Sequence, residues 1–281
     1  MTELSKAVLI TGCSTGIGRA TAERLARRGL PVYATGRRPE SIEDLRESGC
    51  RTLALDVTDE DSMRAGVEEV ERAEGAVGAL VNNAGYSQSG AVETVPLEDV
   101  RRQFETNVFG LLRMSQLVLP GMRREGRGRI VNVSSMGGKL TFPGGGVYHA
   151  TKHAVEALSD AMRFEVRGFG VDVVVIEPGL IRTQFGEAAV ASVPAGDGPY
   201  AGFNKAVVAA MERVYDGPLG RLGAGPDAVA KVIERALTAS RPRTRYKVTA
   251  SARVFMGQRS LLPDRAWDAV VGTSFPRPGR K

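Results

Sequence analysis

Tyr148-His149-Ala150-Thr151-Lys152 opens a strongly helical stretch. Residues four apart share a helix face, so the phenol and the ammonium point the same way. A phenol that titrates near about 10 is a poor proton carrier at neutral pH. A neighbouring ammonium favours the phenolate and lowers that value, which suits acid–base work. Ser135 stands thirteen residues before the tyrosine, just past the apolar run Ile130-Val131-Asn132-Val133. The C-terminal ends of strands are where open α/β sheets place their ligands. Asn107 lies inside a long helical pattern, where an amide is unfavourable unless it has a local partner or a task. Ser135, Tyr148, Lys152 and Asn107 are the candidate catalytic set.

A second constellation sits near the N-terminus, where Thr11-Gly12-Cys13-Ser14-Thr15-Gly16-Ile17-Gly18 follows the first apolar run and precedes a helical pattern. Glycines let a backbone turn sharply and approach a pyrophosphate, whose charge is met by the amides of a helix N-terminus. The next apolar run ends in Ala34-Thr35-Gly36-Arg37-Arg38. A dinucleotide without a 2′-phosphate is usually held there by Asp or Glu, accepting from the ribose hydroxyl. Gly36 replaces the acid, and two guanidiniums able to fork onto a phosphate follow it. NADP(H) is the expected cofactor.

These residues must be positioned by a sheet. Runs rich in Val, Ile or Leu occur at 7–10, 31–35, 52–55, 79–81, 129–133 and 171–176, and 245–248 looks like a last strand. They are short and too apolar for half-exposed antiparallel strands, so both faces are expected to be covered. Helices are expected between them at 18–28, 41–47, 59–71, 97–124, 147–169 and 228–239. This alternation implies right-handed crossovers and a doubly wound parallel α/β sheet of about seven strands. The segment 185–203, rich in Gly, Ala and Pro, reads as a mobile insertion. The reading is one catalytic domain over residues 1–250 and an extension over 251–281.

Composition narrows the function. Of 281 residues, 42% are hydrophobic and 25% charged, which excludes a disordered chain. No apolar stretch is long enough for a membrane span, and the polar residues 1–6 do not resemble a secretory signal. Two cysteines, Cys13 and Cys50, and two histidines, His149 and His153, are too few for a disulfide framework or an evident metal site. Cys13 reads as a small buried residue. A cytoplasmic protein without metal is expected. The net charge is +6, but residues 241–281 hold ten Lys and Arg against two acids, leaving −2 on the remainder. Basicity confined to a tail fits a solvated or packed extension better than a nucleic-acid surface.

The glycine loop, Ser135, Tyr148 and Lys152, in this order and spacing, resemble the classical short-chain dehydrogenase/reductase family. Asp56-Val57, Asn82-Asn83-Ala84-Gly85 and Pro178-Gly179 with Thr183 extend the resemblance over roughly residues 5–250, with a likeness to its hydroxysteroid-dehydrogenase-like branch. The resemblance implies a single-domain Rossmann-type fold that interconverts a carbonyl and an alcohol. It makes Tyr148 the general acid or base and Lys152 the residue that lowers its pKa and holds the nicotinamide ribose. Ser135 would bond the substrate oxygen, and Asn107 would hold a water linking Lys152 to solvent. Gly12, Ser14, Gly16, Ile17 and Gly18 would cradle the pyrophosphate, and Asp56 and Val57 would meet the adenine. Asn83, Ala84 and Gly85 would line the ribose side, with Pro178, Gly179, Ile181 and Thr183 on the nicotinamide side. Some NADP-preferring relatives carry a basic residue where this chain has Thr15, so phosphate recognition would rest on Arg37 and Arg38.

In this family the segment 185–203 is the substrate-binding region. Its Val190, Val193, Pro194, Tyr200 and Phe203 point to an apolar small-molecule carbonyl or alcohol, steroid-, polyketide- or aryl-ketone-like. Val108, Phe109, Leu111, Leu112, Met114 and Leu117 exceed what one face of a sheet needs, and relatives pair the equivalent helix across a two-fold axis. A homodimer or homotetramer is expected. The tail, with Trp267 as an anchor, is expected to fold over the substrate site or a neighbouring subunit. The alternatives are a reductase of carrier-bound 3-oxoacyl groups and a non-catalytic NADP-binding sensor.

Overall fold

Strands apolar on both faces are stable only where helices cover both, and the six Val-, Ile- and Leu-rich runs, with the edge strand at 245–248, form one parallel sheet. The computed structural model describes residues 7–279. Its strands are β1 (Val8–Ile10), β2 (Val32–Gly36), β3 (Arg51–Ala54), β4 (Ala79–Asn82), β5 (Gly128–Val133), β6 (Val171–Pro178) and β7 (Arg245–Val248). Their spatial order is β3-β2-β1-β4-β5-β6-β7. Val8 of β1 pairs with Val32 on one side and Ala79 on the other. The progression of the chain reverses between β1 and β4, which opens a crevice at their C-terminal ends. The polar residues 1–6, and Arg280 and Lys281 of the basic tail, lie outside the described residues.

The helices are α1 (Gly16–Ala26), α2 (Glu60–Glu74), α3 (Leu97–Phe104), α4 (Gly110–Arg124), α5 (Gly146–Val166), α6 (Gln184–Ala191), α7 (Ala201–Asp216), α8 (Pro226–Thr238), α9 (Ala250–Leu261) and α10 (Asp264–Gly272). Alternate strand residues point to opposite faces, so the sheet has two cores. Ile10, Val131 and Ile176 pack with Leu25 of α1 and Ile233 of α8. Leu9, Leu80 and Ile130 pack on the other side with Val67 of α2, Met114 of α4 and Met162 of α5. Each fully buried aliphatic side chain contributes about 1.5–3 kcal/mol. No helix among the described residues is long and apolar enough to cross a membrane.

Three elements differ from expectation. The helix expected at 41–47 is a pair of 3₁₀ turns, Pro39–Ser41 and Glu43–Ser48, ended by Gly49 at φ 89°. Its buried anchors, Ile42 and Leu45, are three residues apart, the spacing of a 3₁₀ turn and too few for an α-helical stripe. The helix expected at 97–124 is broken by a π turn, Glu105–Phe109, between α3 and α4. There Gly110 rests on the Val57 carbonyl, and a Cβ would lie 2.5 Å from that oxygen. The insertion expected at 185–203 is largely helical, as α6 and the start of α7. It is pinned to the segment after β4: Gln88 Nε2 donates to the Ser192 carbonyl (2.8 Å) and Ser89 N–H to Ser192 Oγ (2.9 Å). The extension is two helices, α9 and α10, seated on the body of the sheet domain.

Trp267 of α10 is 5% exposed and packs with Leu140, Ala252 and Met256. Its indole N–H donates to the Thr141 carbonyl at 3.2 Å.

A buried charged cluster lies where β6, β7 and α5 meet. Glu156 of α5 accepts from Arg245 Nε (3.0 Å) and pairs with Lys139 Nζ (3.1 Å). Glu177 of β6 is fully buried, and among the described residues neither carboxylate oxygen has a hydrogen-bond partner. Arg245 Nε stands 3.5 Å from one of them. Burial, reinforced by the charge of Glu156, raises the Glu177 pKa to about 6.

Two expectations follow from this packing. Trp267→Ala should cost about 3–5 kcal/mol, measured by urea unfolding followed by circular dichroism. A raised carboxyl pKa contributes stability that is present below the unfolded value and lost as pH rises through about 6. Glu177→Gln should therefore raise Tm more at pH 8 than at pH 4.5, and an equal shift at both would refute the assignment.

Candidate active site

Ser135 follows the end of β5 in extended backbone and caps the short 3₁₀ turn Met136–Gly138, its Oγ accepting from Gly137 N–H at 3.0 Å. That bond fixes the hydroxyl at the wall of a large cavity. One turn into α5, Tyr148 and Lys152 share a face and line the same cavity. Lys152 is 6% exposed; its Nζ donates to the Val133 carbonyl at 2.9 Å and lies 5.8 Å from the centre of the Tyr148 ring. Burial pushes its pKa down to about 8, and the carboxylate of Glu156 opposes the shift. The ammonium is thus tied to the strand end that leads into Ser135.

Asn107 stands in the π turn, 1% exposed and behind the cavity wall. Its Oδ1 accepts from Tyr86 N–H (3.1 Å), and its Nδ2 donates to the Tyr86 carbonyl (2.9 Å) and to Thr151 Oγ1 (3.1 Å). Thr151 Oγ1 donates in turn to the Tyr148 carbonyl at 2.7 Å. The amide therefore joins the π turn to α5 and to the segment after β4. Gly85 is needed beside it, since a Cβ there would lie 3.0 Å from Asn107 Oδ1.

The glycine loop turns at Gly12 (φ 71°) and Gly16 (φ 61°), conformations that L side chains seldom adopt. Gly18 meets a different constraint: a Cβ would lie 2.2 Å from the Gly12 carbonyl oxygen. It brings helix and loop together but does not line the cavity, whereas Gly12, Ser14, Thr15, Gly16 and Ile17 do. The first turn of α1 contains no acid, and no side chain caps it, so its amides and the positive end of its dipole face the cavity unopposed. Across the crevice, Asn83 Nδ2 donates to the Thr11 and Gly12 carbonyls, both at 3.0 Å. Asn83 thus braces the loop as well as lining the cavity beside Ala84 and Gly85.

Asp56 and Val57 line the same wall after β3, and the Asp56 carboxylate accepts from Thr58 N–H (2.9 Å) and Thr58 Oγ1 (2.8 Å). After β2, Arg37 and Arg38 are both exposed, but only Arg37 reaches the cavity. Pro178, Gly179, Ile181 and Thr183 line it after β6. The Cys13 thiol is buried, and burial pushes its pKa up to about 12, which leaves it inert. No group of three or more potential metal ligands occurs among the described residues.

The cavity encloses about 1260 Å³, and the end formed by α7, α9 and α10 is lined mainly by apolar side chains, with Arg213, Thr273 and Ser274 among them. Val207, Ala210, Met211 and Val214 form one stripe of α7 along it, at the i, i+3, i+4, i+7 spacing of a helix face. Phe255 of α9 and Trp267, Val270 and Val271 of α10 complete this end, with Phe142 and Phe185 nearer Tyr148. The rings of Phe185 and Tyr148 meet edge to face at 5.5 Å. The α7 stripe was visible in the sequence as periodicity; nothing local in the sequence marked Phe142.

Residues 6–193 match the short chain dehydrogenase family. The chain is 36% identical to the Bacillus subtilis oxidoreductase YusZ, over 95% of this chain and 97% of that one. It is 35% identical to an NADPH-dependent 3-dehydrocapnine reductase of Ornithobacterium rhinotracheale, over 93% and 94%. A crystal structure of a short-chain dehydrogenase from Streptomyces avermitilis superposes with a TM-score of 0.80 at 35% identity, covering 96% of this chain and all of that one. The glycine loop at the β1–β4 crevice, the shared wall of Ser135, Tyr148 and Lys152, and these similarities have one explanation: the chain belongs to the short-chain dehydrogenase family and is an oxidoreductase of that family.

Proposed function

We propose that the protein is an NADP(H)-dependent oxidoreductase that interconverts a ketone or aldehyde and an alcohol on an apolar substrate, with Tyr148 as general acid and base. The observation that carries this reading is the buried Lys152 ammonium, held by the Val133 carbonyl against the Tyr148 ring at the cavity wall.

The residues present fit a dinucleotide. Gly12 and Gly16 turn the loop back, the unopposed N-terminus of α1 suits a pyrophosphate, and Arg37 offers a guanidinium where no acid would repel a 2′-phosphate. The relative that reduces 3-dehydrocapnine with NADPH supports the same choice. When bound, the cofactor supplies or accepts hydride at the substrate carbon. The chain's own part is proton transfer and charge stabilisation. In reduction Tyr148 donates its phenolic proton to the carbonyl oxygen, while the Ser135 hydroxyl donates a hydrogen bond to that oxygen as charge grows on it. Lys152 stabilises the phenolate left behind. Asn107, through Thr151 and Tyr86, holds α5 at the required distance from the segment after β4. The apolar end of the cavity matches a hydrophobic substrate.

The exposed aromatics in the π turn before α4 and at the end of α5 support assembly. Phe164 is 87% exposed, Phe109 51% and Phe169 49%, more aromatic area than a lone subunit usually leaves in water. A homodimer through this face is the reading they support.

Fluorescence titration with NADPH and NADH, followed by NADPH oxidation over a ketone panel, tests the function. Tyr148→Phe should keep NADPH affinity and lose at least a thousandfold in kcat. Arg37→Ala should weaken NADPH by roughly 10- to 100-fold and leave NADH little changed, because only a charge-assisted contact to the extra phosphate is lost. Loss of the Lys152 proton through about 8 should make kcat/KM for reduction fall above that pH. Phe164→Glu should shift sedimentation toward the monomer.

A further inference from the structure

We propose that His149 is a second hydrogen-bond donor in the substrate half of the cavity, selecting carbonyl substrates that carry a neutral oxygen close to the reacting carbon. The proposal rests on the oxidoreductase reading above and adds a polar specificity element to its apolar site.

The imidazole is held rigidly. Gly137 and Gly145 flank it, and a Cβ at either would lie 2.4 Å from His149 Cδ2 or 2.5 Å from Cε1. The ring therefore fills space that any other residue pair would occupy. Phe142 packs against it edge to face at 6.2 Å, and the Tyr148 ring lies 5.7 Å away.

Its tautomer is set by the backbone. Phe142 N–H donates to His149 Nδ1 at 3.4 Å, which places the ring proton on Nε2. Among the described residues Nε2 meets no acceptor, yet it is not one of the polar atoms sealed from solvent without a partner. The ring lines the cavity, and we infer that this N–H faces it. Burial, with the nearby His153, holds the ring pKa down at about 4, which keeps the donor neutral at physiological pH.

Position relates the donor to the reacting group. A single point, the place a Cβ would take on Gly137, is 3.1 Å from His149 Nε2 and 3.4 Å from Ser135 Oγ. The two polar groups therefore lie within about 6.5 Å of each other. If Ser135 bonds the reacting oxygen, Nε2–H meets an acceptor two or three bonds from the reacting carbon. Phe142, which packs against the ring, packs in turn against Phe255 and Trp267, a stack that offers no acceptor side chain. A buried donor left unmatched penalises a substrate that lacks the acceptor. A neutral donor is matched best by a neutral oxygen, so the favoured class is a ketone with a β-hydroxyl or β-alkoxy group.

The test compares propiophenone with β-hydroxypropiophenone as NADPH-dependent substrates of wild type, His149→Phe and His149→Gln, with Tm and NADPH affinity recorded for each. Wild type should prefer the hydroxy ketone in kcat/KM. His149→Phe should lower kcat/KM for the hydroxy ketone roughly 30-fold more than for propiophenone, since one hydrogen bond is lost. His149→Gln, whose amide also donates, should restore part of the preference. Equal loss on both ketones, or no preference in wild type, overturns the role of His149 and leaves the oxidoreductase reading standing. NADPH binding without turnover of either ketone by wild type overturns that reading, and this proposal with it.

Discussion

Burial of one ammonium organises the site. Taking a lysine charge out of water costs several kcal/mol unless its donors are satisfied, and Lys152 Nζ meets the Val133 carbonyl. That requirement locks the first turns of α5 to the end of β5. Tyr148 lies one turn back on the same helix face, and Ser135 lies two residues beyond Val133, so both are delivered to one wall by a single contact. The same burial brings the ammonium toward neutrality, since burial lowers its pKa to about 8. The charge that stabilises a phenolate is therefore opposed by its burial, and the carboxylate of Glu156 one turn on counters part of that shift.

Around that contact the chain is built by close approach. Gly138 lets the turn after Ser135 pass 3.0 Å from the Lys152 carbonyl, measured from where a Cβ would sit. Gly12 approaches the Ala84 backbone in the same way, and Thr11 Oγ1 accepts from both Asn83 and Ala84 N–H at 3.0 Å. The crevice between β1 and β4 is thus tied across by side-chain bonds from Thr11 and Asn83, which hold the loop amides open toward the cavity. Side chains buried there would close it.

Much of this was legible in the sequence because it depends on periodicity and on glycine. Six apolar runs became strands, since a strand buried on both faces leaves no other reading for a short Val- and Ile-rich segment, and 245–248 added the seventh at the edge. Gly12, Gly16, Tyr148 and Lys152 announced themselves by type and spacing. What was not legible depends on contacts between distant segments. The π turn at Asn107 arises from bonds to Tyr86 and Thr151, 21 and 44 residues away. The helices of 185–203 are stabilised by Gln88 and Ser89 on the far side of the chain. Arg37 and Arg38 are neighbours in sequence, and only the direction of the backbone after β2 separates the one at the cavity from the one beside it.

The chain contains one tryptophan, and it is Trp267, seated in the apolar end of the cavity with its indole N–H on Thr141. Its intrinsic emission therefore reports on that wall alone, without background from other indoles. Ring contacts with Phe142 at 5.7 Å couple it to the segment that carries the cavity toward Tyr148. The reduced nicotinamide absorbs where indole emits, so energy transfer between them gauges how far the reduced cofactor lies from the substrate wall. The protein comes with a built-in optical ruler at the place where its chemistry meets its specificity.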